Sequence, residues 1–229
     1  MAIKLITVSG PPSSGKTSVI IKMIESLPHL KDRCGVIKFD CLSALDEEQY
    51  TKNGIVAQTG LAGNLCPDHY FVSNIEACFV WAREKNFEVL VTESAGLCNR
   101  CAPHLKEVLA VCILDNLSGI NTPLKTGPMV KMADVVVVTK SDLVSQAERE
   151  VFRFKIQQVN SKCKVLFING ITGQGADRLA KLVVNANDFE TSENLKLRFS
   201  MPAALCSYCL GETRVGEDFQ IGLNRKIKL

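Results

Sequence analysis

The chain has 229 residues, with 27 Lys and Arg against 24 Asp and Glu, a net charge of +3, and 46% apolar residues. That length fits one large domain or one domain with a small appendage, and the apolar share excludes a disordered chain. The near-balanced charge gives no argument for a nucleic-acid or membrane partner. Residues 1–8 lack the apolar stretch and cleavage site of a signal peptide. No apolar run approaches the roughly 20 residues of a spanning helix, so a cytoplasmic protein is expected.

Strand and helix patterns alternate along the chain. Residues 3–8 form a short β-rich run. Over 16–27, Val19, Ile20, Met23, Ile24 and Leu27 recur at helical spacing. Residues 34–39 read as a strand, 47–58 and 71–85 as helices, and 87–92 as a strand. The runs 109–114, 134–139 and 164–168 are strands of nearly continuous apolar residues, as expected when both faces are covered. Residues 145–159 and 174–185 supply further helices. Such alternation implies an α/β fold with a mostly parallel sheet, whose ligands bind beyond the carboxyl ends of the strands. After about 187 the pattern changes. We expect a P-loop domain over 1–187 and a small β-rich, Cys-containing appendage over 188–229.

The run Gly10-Pro11-Pro12-Ser13-Ser14-Gly15-Lys16-Thr17 fits G-x-x-x-x-G-K-[ST], with a strand before it and a helix after it. Its backbone amides and the helix start beneath Ser18 are suited to phosphate. Lys16 should reach the outer phosphates and Thr17 should hold Mg²⁺. Thr139-Lys140-Ser141-Asp142 follows a strand of four valines. The Asp142 carboxylate can accept from guanine N1–H and the exocyclic amine, a pair that adenine does not offer, and the Lys140 stem can cover the ring. A site built for those bonds penalises the wrong base. Thr92-Glu93-Ser94-Ala95-Gly96 ends another strand. Glu93 can hold Mg²⁺ directly or through water, and the Gly96 N–H can sense the terminal phosphate. Asp40 closes the strand 34–39 and is a second candidate for Mg²⁺ or the attacking water. Asn169 begins a loop after the last strand, where it can touch the base.

The combination of GPPSSGKT, Asp40 with Asp46, ESAG and TKSD resembles the metal-chaperone GTPase group. That group contains the hydrogenase and urease nickel-insertion GTPases and the cobalamin-synthesis-type metallochaperones. Their third motif uses Glu, as Glu93 does here. Gly96-Leu97 with Pro103 is similar to the cobalamin-type motif, and TKSDL with ITGQGADRL is similar to the hydrogenase type. The stretch from Ile55 to His69 resembles the segment that carries the nickel ligands. The resemblance covers roughly residues 3–185. It implies GTP binding and hydrolysis, Mg²⁺, delivery of a metal (nickel first) to a client metalloenzyme or its maturation factors, and a nucleotide- or metal-dependent homodimer. Four features depart from the pattern. Asp68 stands between Pro67 and His69, Thr139 replaces an Asn, there is no metal-storing N-terminal tail, and two CxxC pairs are added.

Ten cysteines are many for a protein of a reducing compartment. Cys34, Cys78, Cys112 and Cys163 lie in apolar segments and read as buried small hydrophobes. Cys66 with His69 suits Ni²⁺ or Zn²⁺, and a symmetric dimer would double the two ligands to four. Cys98 and Cys101 fall inside the presumed phosphate-sensing loop, where they could chelate metal, hold part of an iron–sulfur cluster, or cycle as a dithiol. Cys206 and Cys209 look like half a zinc knuckle, which the Cys98/Cys101 pair or a symmetry mate could complete. Two alternatives stay open: a metal-free nucleotide switch guarding a cofactor enzyme, and an ATP-dependent iron–sulfur or redox partner.

Overall fold

The computed structural model describes residues 2–42, 46–97, 101–199, 211–220 and 226–229. Its centre is a parallel sheet in the order β3-β2-β4-β1-β5-β6-β7. These strands are β1 (Ile3–Ser9), β2 (Cys34–Asp40), β3 (Val56–Leu61), β4 (Val89–Ser94), β5 (Leu109–Asp115), β6 (Val135–Thr139) and β7 (Lys164–Phe167). A short β8 (Asp188–Phe189) pairs antiparallel with the start of β1. The expected α/β P-loop architecture is the one observed.

Period-two alternation divides the strand residues between two cores. Ile6, Val8, Val36, Val89, Val91, Val111, Val135 and Val137 meet α1 (Lys16–Glu25), α2 (Asp46–Lys52) and α8 (Ala176–Val184) on one face. Opposite them, Leu5, Ile37, Phe39 and Leu90 pack against α3 (Pro67–Ser73) and α4 (Ile75–Glu84). Cys112, Leu114, Val136 and Val138 lie under α6 (Gly127–Lys131) and α7 (Gln146–Val159), with the one-turn α5 (Thr122–Lys125) alongside. The α7 start is locally encoded: Ser145 Oγ caps the Glu148 amide while Glu148 reaches back to the Ser145 N–H. Among the described residues, no helix is long and apolar enough to cross a membrane.

Two elements differ from the sequence reading. The helix expected over 47–58 stops at Lys52, and Val56–Leu61 is instead the edge strand β3. Gly54, at φ +70°, turns the chain where a helix would need φ near −60°. Ile55 N–H then closes the turn on Tyr50 O (3.0 Å). The helix expected over 71–85 starts earlier and is two helices, broken at Asn74. That side chain is committed elsewhere: Nδ2 donates to Tyr70 O (2.8 Å) and Oδ1 accepts from Ile227 N–H (3.0 Å).

The described residues of 188–229 lie against this frame. Leu195, Leu197, Val215 and Ile227 are buried in the core beneath α3 and α4. Arg198 donates to the carbonyls of Leu105, Val108 and Met132 and ion-pairs with Asp134.

Candidate functional site

Strands β1, β2, β4, β5 and β6 end at Ser9, Asp40, Ser94, Asp115 and Thr139, and all five ends lie at one edge of the sheet. There a cavity of about 380 Å³ is lined by the phosphate loop (Pro12, Ser13, Gly15, Lys16, Thr17, Ser18) together with Lys38, Asp40 and Glu93. The loop is held shut by its own lysine. Lys16 Nζ donates to Gly10 O (3.0 Å), Pro11 O (2.9 Å) and Ala95 O (3.4 Å), joining the phosphate loop to the segment after β4. The two segments also touch directly at Gly96 (φ +72°), where a Cβ would sit 1.7 Å from Gly10 O. Ser14 Oγ, buried in the same loop, has no hydrogen-bond partner among the described residues.

Glu93 is the hub of the cavity and is almost fully buried. Thr17 Oγ1 donates to its Oε1 (3.1 Å) and Tyr50 OH to its Oε2 (2.7 Å). Lys38 Nζ stands 3.5 Å from Glu93 Oε1 and 3.9 Å from Asp40 Oδ2. The Asp40 carboxylate also accepts from Cys41 N–H (2.7 Å). A hydroxyl and two carboxylates around one cavity are the hard oxygen donors that Mg²⁺ prefers beside a phosphate chain. Thr17, Asp40 and Glu93 therefore fit that ion, which would neutralise phosphate charge.

The segment after β6 flanks the phosphate loop from another side. Thr139 Oγ1 donates to Ser14 O (2.7 Å), and Lys140 Nζ donates to Ser13 O (3.3 Å) and ion-pairs with Asp115. Both side chains brace the phosphate loop. Asp142 and Asn169 line a second cavity of about 450 Å³ with Arg149, Gln174 and Arg178. Asn169 Oδ1 is occupied by the amides of Ile171 and Thr172, so it shapes the loop.

The cysteines are rearranged relative to the sequence grouping. Cys66 stands at the N-cap position of α3 without a side-chain cap bond, and its thiol meets Cys101 rather than pairing only with neighbours in sequence. A hydrogen bond from Cys101 holds the Cys66 thiol below its ordinary pKa, helped by the amides of His69 and Asp68 and opposed by burial and the Asp68 charge. Cys41 is near enough that Cys66 raises its pKa, after the larger effects of burial and Asp40. His69 is fully buried in the first turn of α3. Among the described residues, no group of three or more Cys, His, Asp or Glu is arranged to hold a metal ion. Cys98, Cys206 and Cys209 lie outside the described residues.

Between thiols and phosphate loop stands Asp68. Its carboxylate accepts from Ser94 Oγ, and that same oxygen accepts from Gly96 N–H (3.3 Å). Burial raises the Asp68 pKa, and the Ser94 hydrogen bond and the Lys16 charge work against that rise.

Sequence reasoning did not find Lys38, Tyr50, Asp115 or Cys41. Lys38 and Asp115 carry a usable signal: one lies two residues before a strand-end acid and the other is itself a strand-end acid. Tyr50 carries none, since its reach to Glu93 depends on how α2 packs.

The CobW/HypB/UreG nucleotide-binding domain model matches residues 4–167. The uncharacterized protein MJ0120 of Methanocaldococcus jannaschii is 43% identical over 98% of this chain and 96% of its own length. Urease accessory protein UreG 2 of Methylorubrum populi is 28% identical over 86% of this chain and 98% of its own. The structure of HypB from Helicobacter pylori in complex with nickel superposes with a TM-score of 0.61 at 15% identity, over 80% of this chain and 86% of that one. The matched span holds the phosphate loop, Glu93 and Asp142, and through it this chain belongs to the CobW/HypB/UreG family.

Proposed function

We propose that this protein is a GTP-hydrolysing metallochaperone that loads nickel into a client metalloenzyme or its maturation factors, working as a nucleotide- or metal-dependent dimer. The observation that carries the proposal is the bridge from the thiol-bearing end of α3 to the segment against the phosphate loop. Cys66 is the N-cap of α3 and Asp68 lies in its first turn, and Asp68, Ser94 and Gly96 are joined by two hydrogen bonds. A loop that moves with the γ-phosphate is thereby tied to the helix that presents a thiol. Relatives named as a urease accessory protein and as a nickel-bound HypB support nickel as the cargo.

In hydrolysis, water forms a bond to the γ-phosphorus as the bond to the β–γ bridging oxygen breaks. The electron pair leaves with GDP, and the water proton passes to the phosphate product. Lys16 and the loop amides offset the phosphate charge, while Asp40 and Glu93 orient the water. Guanine preference rests on Asp142 as acceptor, with Arg149 in the same cavity as a donor toward the O6 edge. Its Nε is buried without a hydrogen-bond partner among the described residues.

Equilibrium binding of Ni²⁺, Zn²⁺ and Co²⁺, with and without a non-hydrolysable GTP analogue and followed by mass in solution, tests the reading. A coupling of 1–3 kcal/mol corresponds to a change of about 5- to 150-fold in metal affinity. Ser94→Ala, which cuts the bridge without touching a thiol, should reduce the change to less than about twofold. Metal affinity that ignores nucleotide in the parent, or ATP displacing GTP, would reject the proposal.

A further inference from the structure

The phosphate cavity is lined by two lysines, and the P-loop signature accounts for Lys16 alone. Lys38 sits on β2, a strand whose earlier residues on that face, Cys34 and Val36, are apolar core. In the parallel register, Lys38 pairs directly with Glu93 on β4. It shares its face of β2 with Asp40, two residues on. The side chain is 9% exposed, so its ammonium is nearly removed from bulk water. Desolvating such an ion costs several kcal/mol unless opposite charges offset it, and here Glu93 and Asp40 do so. A valine at 38 would pack on this face without that cost. What Lys38 adds is a positive charge beside the phosphate loop.

Among the described residues, the charged side chains lining the cavity are Lys16, Lys38, Asp40 and Glu93, two of each sign. A triphosphate adds negative charge, and the carboxylates then have Mg²⁺ and water to orient. Loosened from them, the Lys38 ammonium can turn to the γ-phosphoryl oxygens within the same cavity. We propose that Lys38 is a catalytic cation supplied in cis, contacting the γ-phosphoryl group during hydrolysis as an arginine finger does in other GTPases. The inference rests on the GTPase reading above. As the bond from water to the γ-phosphorus forms and the bridging bond breaks, charge grows on the bridging oxygen. Lys38 stabilises that charge and keeps its proton throughout.

The test uses the full chain, with single-turnover GTP hydrolysis and binding of a fluorescent non-hydrolysable GTP analogue across a Mg²⁺ titration. Removing one such donor typically costs about 10²- to 10³-fold in rate. Lys38→Met should therefore slow kcat by about 10²-fold or more, with analogue affinity at saturating Mg²⁺ changed by less than about tenfold. Lys38→Arg, which keeps the charge, should retain at least about a tenth of the parent rate. Because Lys38→Met frees Asp40 and Glu93 from a competing cation, analogue binding should half-saturate at lower Mg²⁺. A merely structural lysine would lose analogue affinity along with turnover, whereas a catalytic one loses turnover alone and is rescued by Arg. If Lys38→Met does not fold, Lys38→Gln is read by the same criteria. A neutral variant within about threefold of the parent rate, or a Mg²⁺ midpoint that does not fall, overturns the role of Lys38. A parent that hydrolyses no GTP overturns the GTPase reading instead.

Discussion

At Gly96 a single hydrogen atom separates a closed site from an open one. The residue has φ +72°, and its Cα faces Gly10 O so closely that a Cβ would lie 1.7 Å from that oxygen. Gly96→Ala must therefore push the loop after β4 away from the phosphate loop and break the Lys16 bond to Ala95 O. A misplacement of about 1 Å at a reacting centre can cost about 10²-fold in rate. We expect Gly96→Ala to slow GTP turnover by that order while the sheet stays folded. A steady-state assay beside a thermal melt checks both halves, and a variant with parental turnover would contradict the geometry. Lys38, Glu93 and Asp68 argue the same way: each is buried, ionisable and matched by a named partner, so their chemistry depends on neighbours more than on residue type.

The segment between β4 and β5 shows what an element needs to hold a site. It carries Cys101 at its middle and His104 three residues on, and His104 pins it to β1. The ring meets Thr7 Oγ1 through Nδ1 (2.8 Å) and Ser9 Oγ through Nε2 (2.9 Å). Complete burial, and next the Arg198 charge, push the His104 pKa down to about 3, with Asp134 opposing. The imidazole is thus neutral in the folded protein. Below about pH 6.5 the unfolded chain takes up a proton that the folded one refuses, so stability falls as pH falls, over the window from 6.5 down to 3. Between pH 7.5 and 5 this amounts to about 2 kcal/mol. Urea unfolding at the two pH values should show that loss in the parent and not in His104→Gln. An equal slope in both would place the pH dependence elsewhere.

For the whole molecule, the C-terminal stretch matters as core. Leu195, Leu197, Val215 and Ile227 are buried with residues of β1, β2 and α3, and full burial of such side chains stabilises by about 1.5–3 kcal/mol each. Four of them are comparable with the roughly 5–15 kcal/mol net stability of a domain. Arg198 adds its ties to Leu105, Val108, Met132 and Asp134. A chain cut after Asn187 should therefore lack a cooperative thermal transition even though it keeps every nucleotide motif. Calorimetry decides this, and a truncated protein melting at the parental Tm would show that the segment is dispensable.

The phosphate loop, the strand-end Glu93 and Asp142 and the alternation behind the parallel sheet were legible in the amino-acid string because each is encoded by contiguous residues. A turn of glycines between strand and helix, or a run of four valines, has one good conformation whatever surrounds it. The edge strand β3 was not legible, since Val56–Leu61 alternates weakly and is a strand because β2 offers it a partner. Nor were the pairings that give the site its character. Cys66 with Cys101, Lys38 with Glu93 and Asp68 with Ser94 join residues 26 to 55 positions apart. Strand register and the break between α3 and α4 decide which of these side chains meet. Local preference acts over a turn of helix or a few strand residues, whereas charge compensation and thiol pairing act across space. The sequence therefore determined that a phosphate loop stands at this edge of the sheet, and tertiary packing decided which distant side chains surround it.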